Sequence, residues 1–382
     1  MIYEIAYNFP NDIIYESDGP FISLYQPTFR YRPDNKQDII RFKNLVQSIY
    51  NSLLQKYDKK EVNKLLEPFY VIGEDRLFWN NSKDGLGILS NKNKTVVYKL
   101  SRPVEELAIV SDSFHIKPLL RTFQSASRYH LLGIGKTNFV IYEGDRYGFN
   151  KVELDNNIPK TIEEVLGDQY TRPYLNPGSY GGAGGTPMFH GHGSRKDEVE
   201  KDTEKYFRYI DKLMLDKFSN VEKIPLILVA LSEHQGLFRS ISNNPYLLSD
   251  GITKDYEILT VEDAKKDAWT IIQPYYLNKT KKIIERFKLE RSKFLGSDDL
   301  TEVVRAAFEN RIDTLLVEAD RILPGKINKD TGELIKGNAE NPDFDDILDD
   351  LAEMVFKTSG NVLVLPKERM PSTTGIAAIY KF

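Results

Sequence analysis

The glycines and two histidines between Tyr174 and Ser194 are the residues whose types and spacing most favour a binding role. The segment reads YLNPGSYGGAGGTPMFHGHGS and contains Gly178, Gly181, Gly182, Gly184, Gly185, Gly191 and Gly193. Glycine tolerates positive φ and allows a backbone to approach RNA closely. So many glycines, together with prolines, predict a long flexible loop. Such a loop is either functional or a mobile surface loop without a ligand.

His190 and His192 lie inside this segment. Paired imidazoles could bind zinc or act as acid and base near neutral pH. A metal would need a third ligand, and Asp197 and Glu198 are the nearest carboxylates. Two alternatives stay open, namely contact with RNA and exposure without a role. Nucleotide binding is disfavoured, because neither G-x-x-x-x-G-K-[ST] nor G-x-G-x-x-G occurs in its proper context. No cofactor or metal is predicted.

Basic residues are clustered although the chain is acidic overall. With 52 Lys and Arg against 56 Asp and Glu, the net charge is −4, so RNA contacts must come from local patches. The stronger patch contains Lys279, Lys281, Lys282, Arg286, Lys288, Arg291 and Lys293, and the weaker one Arg30, Arg32, Lys36, Arg41 and Lys43. The alternative for the stronger patch is a solvated helix face paired with the acidic run 343–353.

Several protein classes are excluded or disfavoured by composition. The chain has no cysteine, which excludes disulfides, zinc ribbons and thiol nucleophiles. Its first residues do not form a signal peptide, and no apolar run reaches the roughly 18 residues of a membrane span. We therefore expect a soluble cytoplasmic protein that binds neither membranes nor DNA. No nucleophile triad is evident, and His115 and His130 are expected to be core or sheet-edge residues.

Three blocks of predicted elements must position these residues. In residues 1–125, a strand at 21–25, a helix around 39–53 and strands at 85–90 and 95–100 precede an extended connection from Pro103. In residues 126–258, a hairpin precedes the glycine-rich loop, a helix capped by Ser194 and a buried strand at 224–231 of the parallel type. In residues 259–382, a helix interrupted or kinked at Pro274 precedes alternating helices and strands, with a polar hairpin or mobile loop between 323 and 343.

The order of these elements resembles the archaeo-eukaryotic class 1 release factor and Pelota superfamily, in its bacterial branch. The resemblance rests on LLVEADRI, a polar insertion, an acidic helix, NVLVLPKE and GIAAIYKF in the last block. The middle block is similar to the central domain of that superfamily, and PFISLYQPTFRYRP to the amino-terminal domain of its bacterial members.

The resemblance implies a multidomain α/β protein. Its parts would be an amino-terminal α+β domain (1–125), a central RNase H-like domain with the glycine-rich loop (126–258), and a carboxy-terminal α/β/α sandwich like the kink-turn-binding ribosomal proteins (259–382). In the family, the central loop carries the Gly-Gly-Gln tripeptide that promotes peptidyl-tRNA hydrolysis. Here Ala183 and Thr186 follow the paired glycines, and neither Gly-Gly-Gln nor the codon-reading Asn-Ile-Lys-Ser motif occurs.

The predicted function is therefore ribosome rescue, a stalling response or hibernation, without stop-codon reading. The partner would be ribosomal RNA near the peptidyl transferase centre, and a translational GTPase is left open. The predicted RNA contacts are Gly181, Gly182, Gly184, Gly185, His190, Gly191, His192, Gly193, Arg195, Lys279, Lys281, Lys282 and Arg286. Two alternatives remain, a metal- or His-dependent RNA or nucleotide hydrolase using His190 and His192, and a scaffold without catalysis.

Overall fold

The described residues form both strands and helices. The computed structural model describes residues 2–30, 36–124, 128–145, 148–171, 192–328, 331–337 and 345–382, with the backbone alone for residues 192–196. The chain divides into two units, of which one combines Met1–Ala126 with Lys279–Phe382 and the other is Ser127–Asn278. Each unit contains sheets and helices. The predicted multidomain α/β class is therefore confirmed, whereas the three domain boundaries stay a prediction.

The amino-terminal residues form a five-stranded sheet with helices packed against it. Its strand order is β1-β4-β3-β2-β5, with β1 parallel to β4 and the other pairs antiparallel. The elements are β1 (Glu4–Ala6), β2 (Phe21–Pro27), α1 (Lys36–Leu53), α2 (Lys59–Glu74), α3 (Arg76–Asn80), β3 (Gly85–Ser90), β4 (Thr95–Leu100), β5 (Leu107–Ser111) and α4 (Lys117–Gln124).

The extended connection predicted after Pro103 is wrong. Residues 107–111 form β5, which completes the sheet by pairing with β2, and residues 117–124 form α4. The apolar residues of this stretch are too few to show a period, and the strand owes its conformation to its pairing partner. On the other face of the sheet, α1 and α2 bury Phe42, Ile49 and Phe69.

The central unit is built on a four-stranded sheet of order β8-β7-β6-β9. The predicted hairpin is confirmed as antiparallel β6 and β7, and the predicted buried strand is confirmed as β9, which runs parallel to β6. Helix α6 continues through a wider turn, Leu215–Ser219, into α7. The elements are β6 (Tyr129–Ile134), β7 (Phe139–Gly144), β8 (Phe149–Lys151), α5 (Ile162–Leu166), α6 (His192–Met214), α7 (Asn220–Glu222), β9 (Leu226–Val229) and α8 (Ser232–Ile241).

Helix α9 (Val261–Ser292) is continuous, so an interruption at Pro274 is wrong, whereas a kink there stays a prediction. Proline removes one helical hydrogen bond and costs about 3 kcal/mol in a helix interior. Ala268 and Ile272 before Pro274, and Phe287 after it, are buried. Packing on both sides of the proline outweighs that cost, since burying one large apolar side chain contributes about 1.5–3 kcal/mol.

The carboxy-terminal residues form two sheets. Strand order is β10-β16-β11-β15 in the larger sheet and β13-β12-β14 in the smaller one, and the latter confirms the predicted polar hairpin. The elements are β10 (Gly296–Ser297), α10 (Leu300–Phe308), β11 (Ile312–Glu318), β12 (Pro324–Ile327), β13 (Leu334–Lys336), β14 (Asp345–Asp346), α11 (Ile347–Lys357), β15 (Asn361–Leu365) and β16 (Ile376–Tyr380).

The amino-terminal and carboxy-terminal segments share one core within their unit. Buried Phe21, Tyr98 and Phe114 belong to the same apolar cluster as Leu315 and Leu351. The segment Ser113–Gln124 lies against α11, and charged side chains are buried at this contact. This part of the chain is therefore a single folded body made from the two ends of the sequence.

Candidate nucleic-acid interface

Thr171 is the last described residue before the glycine-rich segment, and His192 is the first described residue after it. The backbone N–H of Thr171 donates to Asp202 Oδ2 at 2.9 Å, and only 5% of Asp202 is exposed. Burial raises the pKa of Asp202, but the hydrogen bonds from Thr171 and the nearby Lys205 ammonium outweigh it and lower that pKa. Asp202 is therefore an ionised anchor that ties the start of the segment to the side of α6.

The anchor and the end of the segment lie well apart along α6. Ten residues separate Asp202 from His192, which corresponds to about 15 Å of helix axis. Residues 172–191 could span up to about 66 Å if extended. The segment is thus much longer than its two attachment points require.

Helix α6 is firmly held at its other end. Tyr206, Phe207, Ile210 and Met214 are completely buried against the sheet. The Tyr206 hydroxyl also donates to the Lys160 carbonyl oxygen at 2.8 Å. The helix is therefore a rigid support for the residues that precede it.

The structure corrects one boundary of the predicted loop. Helix α6 begins at His192, so His192, Gly193 and Arg195 belong to its first turn and Ser194 is not its N-cap. A helix can begin inside a glycine-containing sequence when its later turns are packed. The cost of a glycine in a helix is about 1 kcal/mol, and the burial of apolar side chains in the later turns contributes more than that. Gly181, Gly182, Gly184, Gly185, His190 and Gly191 lie outside the described residues, and their predicted roles stay predictions.

Asp202 was not found from the sequence. Its spacing from Thr171 follows no motif, and an aspartate inside a helix is normally a solvated residue. One signal was present, since Asp202 lies one helical turn before the buried Tyr206, on the same side of the helix.

Replacing Asp202 by alanine should release the start of the segment. The change leaves the Thr171 N–H without its partner, and loss of a hydrogen bond to a charged group costs about 1.5–3 kcal/mol. Urea denaturation should show this loss, and limited proteolysis should show faster cleavage between residues 171 and 192. The matched control is Asp216→Asn, on an exposed residue of the wide turn after α6. Unchanged proteolysis in D202A would contradict the anchoring role.

The stronger basic patch lies on the second half of α9. All seven of its cations are exposed: Lys279, Lys281, Lys282, Arg286, Lys288, Arg291 and Lys293. The spacing of Lys279, Lys282 and Arg286 places them on one side of the helix, over about 10 Å of its axis, and Lys293 lies in the turn just after the helix ends. The predicted RNA-contact residues on this helix are thus brought together.

Ion pairs neutralise part of this patch. Arg286 contacts Asp313 at 2.8 Å, Arg291 contacts Asp298 at 2.7 Å, and Lys281 lies 3.9 Å from Glu285. Within the described part of the chain, Lys279 and Lys282 make no ion pair. These two residues are the cations of the predicted set that remain most available for phosphate.

The described part of the acidic run, residues 345–353, does not pair with this patch, and that alternative is wrong for these residues. Asp345, Asp346 and Asp349 are buried, and their cationic neighbours are His115 and Lys117. The run forms β14 and the start of α11 and faces the segment before α4. Charged residues in a sequence usually predict a solvent-exposed surface, but this fold buries these three aspartates.

Both described arginines of the weaker basic patch are paired. Arg30 forms a two-point contact with Asp84, with both N–O distances at 2.7 Å. Arg41 contacts Glu106 at 2.6 Å and also the buried Asp38 at 3.3 Å. Arg32 lies outside the described residues. Lys36 and Lys43, the other described members of this patch, are exposed.

The described histidines belong to no group that could hold a metal ion. His130 is fully buried on β6, as expected, and burial lowers its pKa despite the neighbouring carboxylates of Glu222 and Glu143. Among the residues that the structure describes, no group of three or more His, Asp and Glu could hold a metal ion. The side chains of His190 and His192 lie outside that part, so the metal hypothesis stays a hypothesis.

The central unit matches a known family. Residues 127–274 match the model of bacterial archaeo-eukaryotic release factor family 6. This segment is therefore similar to the release factor superfamily. The resemblance predicted from the sequence is thereby confirmed, and the glycine-rich segment and α6 both lie inside the matched range.

Solved structures give a weaker likeness over more of the chain. An archaeal translation termination factor, aRF1, is 13% identical with a TM-score of 0.23, covering 97% of this chain and 95% of that one. A ribosome-bound archaeal Pelota, from a model with ABCE1, is 14% identical with a TM-score of 0.40, covering 77% and 73%. S. cerevisiae Dom34, a termination-like factor interacting with Hbs1, is 14% identical with a TM-score of 0.37, covering 78% and 74%. No curated protein matches the chain.

Membrane insertion by a helix has no support in the structure. Within the described residues, none of the helices combines the length and the apolar character needed to span a bilayer.

Proposed function

We propose that this protein is a ribosome-associated, release-factor-like factor that acts on stalled or idle ribosomes, in rescue, a stalling response or hibernation. The observation that carries the proposal is the family match over residues 127–274, with a glycine-rich segment immediately before α6. Neither Gly-Gly-Gln nor Asn-Ile-Lys-Ser occurs in the chain. The proposal therefore excludes glutamine-dependent peptidyl-tRNA hydrolysis and stop-codon reading.

The glycine-rich segment would contact ribosomal RNA near the peptidyl transferase centre. Its start is fixed by Asp202 and its end by the packed helix α6. A segment rich in glycine fits into a narrow RNA cavity because it lacks side chains that would collide with RNA. Gly181, Gly182, Gly184, Gly185, His190 and Gly191 would supply these contacts, and His192, Gly193 and Arg195 would face RNA from the first turn of α6.

Helix α9 would add contacts to RNA phosphates. Lysine ammonium groups neutralise phosphates and release counterions, which gives binding that weakens as salt rises. Lys279 and Lys282 are exposed on one side of α9, beside Lys281 and Arg286. The patch is small, and this suits a chain of net charge −4 that must avoid unspecific RNA binding.

Partners and location follow from the same proposal. The protein would act in the cytoplasm, where ribosomes are, and a translational GTPase is the second partner to be tested. The Dom34 structure is described as that of a factor interacting with Hbs1. Pull-down of the full chain with purified translational GTPases, with and without ribosomes, would test that partner directly.

Sedimentation through sucrose with purified ribosomes tests the proposal. We expect the protein in the ribosomal fraction at low salt and in the supernatant at high salt. Absence from the ribosomal fraction even at low salt would contradict ribosome association. Stoichiometric zinc or manganese in the purified protein, lost in H190A/H192A, would instead support the hydrolase alternative.

The double substitution Lys279→Gln and Lys282→Gln tests the α9 surface. If each lysine neutralises one phosphate, the slope of log affinity against log salt should fall by roughly 1.4–1.8. The measurement is co-sedimentation at several salt concentrations. The control is Lys59→Gln with Lys60→Gln, a pair of exposed lysines at the start of α2. Equal slopes for both double variants would remove α9 from the interface.

A further inference from the structure

A cluster of charged side chains is buried where the segment Ser113–Gln124 meets α11. His115 and Lys117 come from that segment, and the carboxylates come from β14 and the first turn of α11. Exposure is 2% for His115, 3% for Lys117, 9% for Asp345, 0% for Asp346 and 1% for Asp349. The two sides of the cluster are more than 200 residues apart in the sequence.

His115 lies between two of the carboxylates. Its Nδ1 is 3.5 Å from Asp345 Oδ1, and its Nε2 is 3.7 Å from Asp349 Oδ1. The Nδ1 atom is buried and has no hydrogen-bond partner among the described residues. The Tyr25 hydroxyl of β2 donates to the His115 carbonyl oxygen at 2.5 Å, which fixes the backbone here.

The aspartates hold the backbone of the facing segment. Asp349 accepts from the Lys117 N–H at 2.6 Å and from the Ile116 N–H at 3.1 Å. Asp350 accepts from the Ser113 hydroxyl at 3.1 Å and from the Ile327 N–H at 3.3 Å. These bonds are the polar part of the contact between the segment and α11.

Negative charge exceeds positive charge in this cluster. The aspartates are Asp345, Asp346, Asp349 and Asp350, and the cations facing them are His115 and Lys117. The Lys117 ammonium is bound to Asp346 and to the Arg321 carbonyl oxygen. Nearby, Glu353 of α11 is paired with Lys357 at 2.9 Å, and Arg121 of α4 is paired with Asp320. Among the residues that the structure describes, two of the aspartates therefore lack a full positive partner.

The imbalance and the burial make the cluster retain protons. Burial and the neighbouring Asp345 raise the pKa of Asp349 to about 7, although His115 and Lys117 oppose the change. Burial and Asp345 likewise raise the pKa of Asp350 to about 7. For His115, burial lowers the pKa, but Asp349 and Asp345 outweigh it and raise that pKa to about 9.

We propose that this cluster is a proton-operated latch, in which protons on His115 and the aspartates keep the segment Ser113–Gln124 seated on α11 and their loss loosens it. All three groups have a folded-state pKa above the unfolded value, so each favours the closed contact at low pH. The carboxyl contributions decline from about pH 4 to pH 7, and that of His115 is lost between about pH 6.5 and pH 9. The latch therefore loosens steadily as pH rises through neutrality.

Hydrogen–deuterium exchange of the full chain at pH 6, 7, 8 and 9 tests the latch. After correction for the intrinsic exchange rate, protection in peptides covering residues 113–124 and 345–357 should fall together by roughly tenfold or more, since one linked proton changes an opening constant tenfold per pH unit. Peptides covering β3 with β4 and β11 should keep their protection. Constant protection at the contact, or an equal fall in all these peptides, would overturn the proposal.

The variant Asp349→Asn distinguishes the latch from a merely structural contact. Asparagine keeps one oxygen acceptor for the segment but cannot exchange the proton, so the fall in protection between pH 6 and pH 9 should be smaller than in the wild type. Asp216→Asn, on an exposed residue of the central unit, should follow the wild type. A D349N profile parallel to the wild type would refute the latch. The wild-type exchange experiment decides the question even if D349N does not fold.

Discussion

Replacing Lys117 by methionine should lower the free energy of unfolding by about 3–5 kcal/mol, because it leaves a buried carboxylate without its cation. Asp346 is completely buried, and the Lys117 ammonium contacts its Oδ2 atom. Methionine matches the length of lysine and fills its space with apolar atoms. The lost stability would therefore report mainly the unpaired charge.

A second substitution separates charge from packing. Asp346 Oδ1 accepts from the Leu323 N–H at 2.9 Å and from the Leu348 N–H at 3.1 Å, so Asp346→Asn can keep both bonds. The double variant K117M/D346N removes both charges of this pair and should recover most of the loss. Recovery of less than about 1 kcal/mol would mean that packing, not charge, explains the defect.

Unfolding of the unit that contains Lys117 and Asp346 can be followed by a tryptophan inside that unit. The chain has two tryptophans, and Trp79 is buried in the amino-terminal segment. A Trp269→Phe background leaves Trp79 as the only tryptophan, and its fluorescence then follows unfolding of that unit in urea. Arg121→Met is the matched control, because its partner Asp320 is 61% exposed in its side chain. Loss of such a surface pair should cost about 1 kcal/mol or less.

The same lysine shows what a sequence predicts poorly. Lys117 precedes Pro118 in a stretch without a clear apolar period, and we predicted an extended connection there. Proline is tolerated in the first turn of a helix, where its missing N–H is not needed. Helix α4 begins at Lys117, and the pairing of its side chain comes from residues more than 200 positions away. No local pattern could have indicated that partner.

Regular elements with strong local signals were predictable. The predicted strands at 85–90 and 95–100 match β3 and β4 residue for residue, because a turn-rich NKNK separates two apolar runs. Their sheet neighbour β5 was missed, since its assignment depends on pairing with β2. Helix α6 was predicted, but its first turn was placed in the loop, because glycines there outweighed the signal from the packed turns that follow.

The candidate site was only partly predictable. The exposed lysines of α9 follow from composition and helical spacing, and the structure places them on that helix as expected. Asp202 could not be found in this way, because its role depends on how the chain returns from α5 to α6. The general lesson is physical: exposure of charge can be inferred from local sequence, whereas burial of charge requires a partner that only the fold supplies.

Replacing Gly181, Gly182, Gly184 and Gly185 by alanine should separate ribosome binding from ribosome rescue. Each alanine that must adopt positive φ costs about 1 kcal/mol or more, so two such positions would reduce productive placement by roughly tenfold or more. Binding through α9 lies outside the changed residues and should persist. The readout is the fraction of ribosomes, stalled on a truncated message in a reconstituted system, that return to translation.

The control for this glycine variant is Gly236→Ala in α8, where an added Cβ meets open space. It should match the wild type in both sedimentation and rescue, since alanine is the better helix former. If the quadruple variant also matches the wild type, the glycines are not used at the ribosome and the segment serves as a connection only. If the quadruple variant loses sedimentation as well, the segment itself supplies binding energy and α9 is not sufficient. Retained sedimentation with lost rescue is the result that a backbone-threading role requires, because the added methyl groups restrict the backbone of the segment and its close approach to RNA, while α9 is unchanged.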